Sequence, residues 1–382
     1  MRKVTSNQKI LVVDNSAGIT GAFKSILAFA KTLRKDFDFH FAIQKGSLVQ
    51  DVLRQEDIPF VEIPFLELRR SWSLLLYFPR LLMNVRRLQR YCRQQEIDVV
   101  HFNDLYNMVG VAMKMIKPRS KVVYHVRLLP TSYAARIYFT WRTLIHRYAD
   151  ELIVVSSAVG DAIRKRGSPA VTTLIYDFIP ITPQHGAIPP SGHFLYPGNY
   201  IKGKGQDLAL ASFYRLIKLN PDCTLRFAGS DLGLDKNRLF RKELEEKALE
   251  MGIQEKVSFQ GWVADIEWLM KSSRVVLNFS ESESFSLVCY EAMVYGCPVI
   301  SSDCGGPSEL IADKVTGVLV PNRDVASMTL AMANLMNNEL LRLSLGERAA
   351  ISIQSKIVEH DAAGRLKSVY DRLLQKQQVT SQ

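Results

Sequence analysis

Short runs of β-branched and aromatic residues punctuate the chain, and within them polar and apolar positions do not alternate. In the first half they read KILVVD (9–14), FHFAIQ (39–44), PFVEIP (59–64), DVVHFN (98–103), KVVYHV (121–126) and ELIVVSS (151–157). Runs of this kind suit strands buried on both faces. Between most of them the apolar positions return every three or four residues, as in GAFKSILAFAKTLRK (21–35), which is a helix period. Strand and helix in turn predict a parallel sheet with right-handed crossovers.

The alternation breaks at DFIPITPQHGAIPPSG (177–192), where Pro180, Pro183, Pro189 and Pro190 exclude a helix or an interior strand. This stretch reads as a linker. Beyond it the pattern restarts with GHFLYPG, CTLRFAG, KVSFQGW, RVVLNFS, CPVISSD and TGVLVP, and a helical AAGRLKSVYDRLLQ (362–375) follows later. The fold class expected is α/β: two doubly wound, Rossmann-like domains in series, over 1–182 and 183–360. Residues 361–382 form a C-terminal helix that can return to the N-terminal domain. Ligands of such sheets bind at the carboxyl ends of the strands, near the point where strand order reverses. With two domains facing one another, the cleft between them is the expected site.

Composition agrees with two cores, since 47% of the 382 residues are hydrophobic. No run of eighteen apolar residues suggests a membrane span, and the apolar run Ile10–Val13 is too short for a signal peptide. Five cysteines form no CxxC or Cys/His spacing, which excludes a zinc site and fits a reducing, cytoplasmic setting. Charge is less even. Residues 1–185 carry 27 Lys and Arg against 15 Asp and Glu, a net of +12, and the remainder carries 22 against 23, a net of −1, so all of the excess positive charge lies in the first half. That asymmetry suits an anionic partner, whether nucleic acid, a membrane surface or a phosphorylated substrate. A solubilising surface of scattered lysines is the other reading.

Two glycine-rich turns follow strands. DNSAGITGAFKS places Gly18 and Gly21 before a helix, but it is not GxGxxG and lacks a well-placed acid for a nicotinamide ribose. YPGNYIKGKGQDLALASF offers Gly198, Gly203 and Gly205 with Lys202 and Lys204 ahead of a helix, and basic side chains beside a helix N-terminus suit a phosphate. In NFSESESFSLVCYEAM (278–293), Glu283 falls in a loop at a strand's carboxyl end and Glu291 eight residues on, within a helix. The backbone N–H groups of Phe285 and Ser286 lie near that helix start. Carboxylates that accept from sugar hydroxyls, beside an anion site, fit a nucleotide-sugar. Spacing alone also allows an acid at a helix N-terminus and a solvated helix residue.

The stretch from RVVLNFS to TGVLVP resembles glycosyltransferase family 4, the retaining GT-B enzymes. It carries that family's E-x7-E motif as Glu283 and Glu291, with Ser280, Phe285, Ala292-Met293, Gly296, Pro298-Val-Ile, Gly305-Gly306, Glu309 and Thr316-Gly317 in order. The likeness extends to KGKGQDLALA, FAGSDLG and VSFQGWV, and more weakly to ILVVDNSAGITGAF, DVVHFND, VVYHVR and LIVVSSAV. It implies a GT-B fold and a retaining, hexosyltransferase-type activity with a nucleotide-diphospho-sugar donor, a glycan or lipid-linked acceptor, no cofactor and no essential metal. It implies further that Glu283 holds donor-sugar hydroxyls and Glu291 the ribose. Backbone amides from Ser284 through Phe285 and Ser286 to Leu287 meet sugar or diphosphate, and Lys204 neutralises the departing diphosphate. Gly21 admits the donor and His125 stands on the acceptor side. Two departures stand out. Asn199 follows Gly198 where the family often has arginine, with Lys202 a candidate substitute, and E-S-F-S replaces E-G-F-G. Glu281 matches no role and is expected to be a solvated loop residue.

The segment 66–95 carries seven arginines against Glu67, interleaved with Trp72, Leu74 to Leu76, Tyr77 and Phe78. The segment 132–150 repeats the style with Tyr138, Phe139 and Trp141. Arginine among aromatic and leucine side chains suits an anionic headgroup layer, as well as an amphipathic helix packed on a sheet. The expectation is a peripheral enzyme on the inner face of the plasma membrane in bacterial cell-surface polysaccharide synthesis. No nucleic-acid module is present. A nucleotide-sugar-binding or scaffold protein with a weakened site is the alternative, and a nicotinamide oxidoreductase is disfavoured by the missing fingerprint.

Overall fold

A computed structural model describes residues 8–65, 73–116, 120–130, 135–168, 170–186 and 193–380, without the side chains of 73–76, 135 and 376–380. The chain forms two compact units, Met1–Pro180 with His360–Gln382, and Ile181–Glu359.

The first unit is a parallel sheet of seven strands: β1 (Gln8–Asp14), β2 (Phe37–Gln44), β3 (Phe60–Ile63), β4 (Val99–Phe102), β5 (Lys121–Val126), β6 (Glu151–Val154) and β7 (Val171–Leu174). Their order is β3-β2-β1-β4-β5-β6-β7, so strand order reverses between β1 and β4. The helices α1 (Gly21–Thr32), α2 (Val49–Gln55), α3 (Ser73–Gln95), α4 (Val109–Met115), α5 (Ala135–Tyr148) and α6 (Ser157–Ile163) connect them. The six apolar runs of the first half are all strands. The pattern did not announce β7, a sheet-edge strand whose first two residues, Val171 and Thr172, are exposed.

The second unit has β8 (His193–Pro197), β9 (Thr224–Ala228), β10 (Val257–Gln260), β11 (Val275–Asn278), β12 (Val299–Asp303) and β13 (Val318–Pro321). They form a parallel sheet in the order β10-β9-β8-β11-β12-β13, reversing between β8 and β11. Its helices are α7 (Gln206–Leu216), α8 (Asp235–Glu250), α9 (Ile266–Lys271), α10 (Leu287–Val294), α11 (Pro307–Leu310), α12 (Val325–Asn337) and α13 (Glu339–His360). One core cluster gathers Phe194, Phe227 and Leu277 from the strands with Phe213 of α7 and Met332 of α12.

After α13 the chain re-enters the first unit as α14 (Ala362–Thr380). Leu366, Val369, Tyr370 and Leu373 of this helix are buried in the core with Phe23, Phe29, Phe37 and Ile153. Its Arg372 also reaches Glu151, a carboxylate with no exposed surface on β6.

The linker is described through Gly186; Pro189 and Pro190 lie outside the described residues. Its middle is fastened by Glu267 of α9, whose carboxylate accepts from Gln184 N (2.8 Å), His185 N (2.9 Å) and Lys271 Nζ (2.8 Å). Burial alone would raise the Glu267 pKa, but these donors outweigh it and bring it down to about 2. A folded pKa below the unfolded one adds stability that is complete above the ordinary glutamate value and fades as pH falls towards 2. Glu267→Gln is therefore expected to be less stable than the wild type at pH 7 by about 1–3 kcal/mol. The gap should close on acidification, as followed by urea denaturation between pH 7 and 2.

Candidate functional site

In the second unit the residues singled out from sequence converge where strand order reverses. β8 runs into the turn Gly198–Gly205 and then α7, while β11 runs into the loop 279–286 and then α10. Lys204 Nζ and Glu283 Oε1 meet across these neighbouring loops at 2.8 Å. Ser280 Oγ donates to the same carboxylate oxygen at 2.8 Å. Tyr196 fastens the loops together: its buried hydroxyl donates to Lys204 O and accepts from Phe279 N at 2.7 Å. The Glu283 backbone is fixed on its other side, its N–H donating to Cys304 O (3.2 Å) and its carbonyl accepting from Gly306 N (2.8 Å).

Glycine makes this convergence possible. A Cβ on Gly205, which caps α7 at φ 78°, would lie 2.0 Å from Phe279 O, and a Cβ on Gly306 would lie 2.4 Å from the Phe285 backbone. Ser284, Phe285, Ser286 and Leu287 lead into α10, with Phe285 and Ser286 buried. Glu291 stands in the second turn of α10, half-buried.

The serine at 286 acquires a physical account here. Its φ of 80° is one that glycine adopts freely and other residues rarely do. In return Ser286 Oγ caps α10, accepting from Cys289 N, and also accepts from Asn278 Nδ2 at 3.0 Å. Ser286→Ala, which keeps the strain and loses the cap, should cost about 1–2 kcal/mol. Ser286→Gly, which loses the cap and relieves the strain, should stay within about 0.5 kcal/mol of wild type. Chemical denaturation of the two variants separates these outcomes.

Three further positions resolve differently from one another. Asn199 turns inward, its Oδ1 accepting from Ser230 N at 3.1 Å and so tying the β8 turn to the β9 turn. Lys202 is exposed and makes no ion pair among the described residues. Glu281 is not simply solvated: it pairs with Arg323, its carbonyl accepts from Asn322 Nδ2 at 2.7 Å, and its N–H donates to Gly203 O at 2.9 Å. It thereby ties the lysine-bearing turn to the β11 loop at a second point besides Glu283.

The reversal point of the first unit carries a polar network that sequence reasoning largely missed. Gly21 opens α1 and is exposed, behind the cap Thr20, whose Oγ1 accepts from Phe23 N at 3.1 Å. Asp14, at the end of β1, accepts from Asn103 Nδ2 at 2.6 Å, and Asn103 Oδ1 accepts from Arg127 Nε at 2.8 Å. Arg127 also pairs with Asp177. His125, near the end of β5, is wholly buried, with its Nδ1 3.2 Å from both Arg127 Nη2 and His101 Nε2. Burial first, then Arg127 and His101, hold its pKa well below the usual imidazole range. Burial and Arg127 bring His101 down to about 3. Beside them Asp104 is pushed up to about 7, chiefly by burial. The motifs DVVHFND and VVYHVR were the available signal, but nothing local tied them to Asp14 or to α14.

The basic aromatic surface is partly as expected. Trp72 lies outside the described residues, as do the side chains of Leu74 to Leu76. Phe78 and Leu82 of α3 and Ile137 and Phe139 of α5 are exposed, with Arg142 stacked on Phe139 at 5.0 Å. Arg80, Arg86, Arg87, Arg90 and Arg93 line α3. Tyr138 and Trp141 follow the packed-helix alternative: they are buried with Ile145, because residues three and four apart share the face of α5 turned to the interior. Among the described residues no helix is long and apolar enough to cross a membrane, and no three His, Cys, Asp or Glu side chains cluster to hold a metal ion.

Residues 180–351 match the family described as Glycosyl transferases group 1, and residues 20–176 match the Glycosyl transferase 4-like domain. A lipopolysaccharide 1,6-galactosyltransferase of Salmonella typhimurium is 29% identical over 183 residues, 45% of this chain and 48% of that protein. A D-inositol 3-phosphate glycosyltransferase of Corynebacterium kroppenstedtii is 29% identical over 186 residues, 47% of this chain and 40% of that protein. The chain thus spans about half the length or less of these curated relatives. Among solved structures, Anabaena HepE in complex with UDP and glucose superposes with a TM-score of 0.79 at 22% identity, covering 96% of this chain and 99% of that one. At that identity the likeness is one of fold.

Proposed function

Because the chain belongs to the GT-B glycosyltransferases of the family-4-like class, we propose that it moves a sugar from a nucleotide-diphospho-sugar to a glycan or lipid-linked acceptor, with retention at the anomeric carbon. The observation that carries this reading is the Lys204–Glu283 pair at the reversal point of the second sheet, where doubly wound sheets bind nucleotides. In transfer, the bond from the anomeric carbon to the diphosphate oxygen breaks and its electron pair leaves with the diphosphate. Lys204 and the N–H groups opening α7 and α10 supply positive potential for that growing charge. Glu283 exchanges its ligand-free partner Lys204 for hydroxyls of the sugar, while Glu291 takes the ribose. No side chain in this group is set as a nucleophile, which agrees with the acceptor hydroxyl forming the new bond to the anomeric carbon on the face the diphosphate leaves and passing its proton to the departing diphosphate oxygen.

The acceptor reading rests on the exposed arginine and aromatic surface of α3 and α5 and on the Salmonella relative's lipopolysaccharide activity. It places the protein on the cytoplasmic side of an anionic membrane, in cell-surface polysaccharide synthesis. A thermal-shift screen of nucleotide-sugars tests the donor, since a ligand at a hundred times its Kd stabilises by about 2.7 kcal/mol. No shift with any donor and no nucleotide release would sink the transfer reading. Flotation with anionic and neutral vesicles tests the surface; the expected result is retention on anionic vesicles only, and equal absence from both refutes it.

A further inference from the structure

The buried histidines of the first unit have hydrogen positions that their neighbours dictate. A guanidinium only donates, so Arg127 Nη2, 3.2 Å away, requires a lone pair on His125 Nδ1. The His125 proton then sits on Nε2. His101 Nε2 also lies 3.2 Å from His125 Nδ1, and two lone pairs cannot face each other there, so His101 carries its proton on Nε2. That leaves His101 Nδ1 as an acceptor, and Tyr370 Oη donates to it at 2.7 Å. Arg127 is itself held by Asn103 and Asp177. The sequence of donors runs from α14 through β4 to β5 and ends on His125 Nε2–H. That atom is buried and has no partner among the described residues. A buried N–H left unmatched is costly and uncommon, and this one stands at the carboxyl end of a strand, where such sheets meet their ligands.

We propose that Arg127, His101 and Tyr370 are positioning residues that lock His125 as the neutral Nε2–H tautomer, so that it meets substrate as a hydrogen-bond donor to an oxygen and not as a base. The identity of that oxygen, on a sugar, rests on the glycosyl-transfer reading; the lock itself does not. Burial and the Arg127 charge keep both rings neutral, which preserves the direction of every bond in the series.

Ring nitrogen NMR on the full-length wild-type protein is the test. Both histidines should show protonated Nε2 and unprotonated Nδ1; a proton on His125 Nδ1 overturns the lock. In Tyr370→Phe the His101 Nδ1 lone pair loses its donor, so the Nδ1 signal should shift while the His125 lone pair held by Arg127 keeps the His101 proton on Nε2, and turnover should fall about fivefold, the factor that one neutral hydrogen bond corresponds to. Unchanged His101 nitrogen shifts in that variant would remove Tyr370 from the lock. Full transfer by His125→Ala would overturn the aim at a substrate oxygen while leaving the transfer reading intact. Absence of nucleotide release from wild type would strike the transfer reading, and the nitrogen shifts would still decide the lock.

Discussion

Lys204→Ala should lower nucleotide release from the preferred donor by about 10²–10³-fold, the loss expected when one fixed charge aimed at a developing anion is removed. The position of Lys204 argues for so large an effect. Its carbonyl accepts from Tyr196 and its N–H donates to Ile201 O at 2.9 Å, so the backbone beneath the ammonium is set before any ligand arrives. The Glu283 carboxylate then holds the ammonium at 2.8 Å over the reversal point. Lys204→Arg should recover only part of the rate, because a planar fork cannot replace a compact charge on this short turn. Glu283→Gln keeps the Ser280 contact but cannot balance Lys204, and it should impair transfer as well. On the proposed reading the two residues act on one ligand and pair with each other only in its absence, so the double variant should lose much less than the product of the single losses. Steady-state nucleotide release by the four proteins decides the matter; independent, multiplicative losses would show that the pair is not a functional unit.

Gly205→Ala should destabilise the second unit by about 3–5 kcal/mol. Two effects coincide there. The residue sits at φ 78°, where a Cβ is strained, and that Cβ would be driven to 2.0 Å from Phe279 O and 2.9 Å from Tyr196 Oη. The obstacle is backbone, so relief requires the β8 turn and the β11 loop to part. For a unit of this size the midpoint of thermal unfolding should fall by roughly 6–20 °C. Gly203→Ala is the control. Its φ of 92° is also unfavourable, but the nearest atom to the new Cβ is Glu281 Oε2 at 4.0 Å, so it should lose only about 1–2 kcal/mol. Equal losses in the two variants would mean that loop approach is not what requires glycine at 205. The surviving Gly205→Ala protein should also transfer poorly, since the same movement separates Lys204 from Glu283.

The sheets were legible because their strands are buried on both faces and therefore read as unbroken apolar runs, as β1, β5 and β11 do. β7 was not, since Val-Thr-Thr-Leu at a sheet edge carries no such signal. The convergence of Lys204 and Glu283 followed from strand order and the resemblance. The second role of Glu281 did not, because Arg323 lies 42 residues away. Composition left Tyr138 and Trp141 open between a headgroup layer and a packed helix; period decides for packing, since positions 138, 141 and 145 share one helical face. The histidine network was least accessible, since Tyr370 and His101 are 269 residues apart and no local pattern links them. Ser286 shows the reverse case, a departure from the family pattern that becomes intelligible only once its φ and its cap are known.

The path of α14 sets an order of assembly during synthesis. Strands β1 to β7 leave the ribosome without the helix that covers Phe37 and supplies Tyr370, and residues 181–359 must be translated before that helix appears. At ordinary elongation rates the interval is roughly 10–40 s, longer than most domains need to fold. The second unit can therefore complete itself while the first still shows an open apolar groove. Tyr370 thus reaches the histidine series only after residues 181–359 have been made.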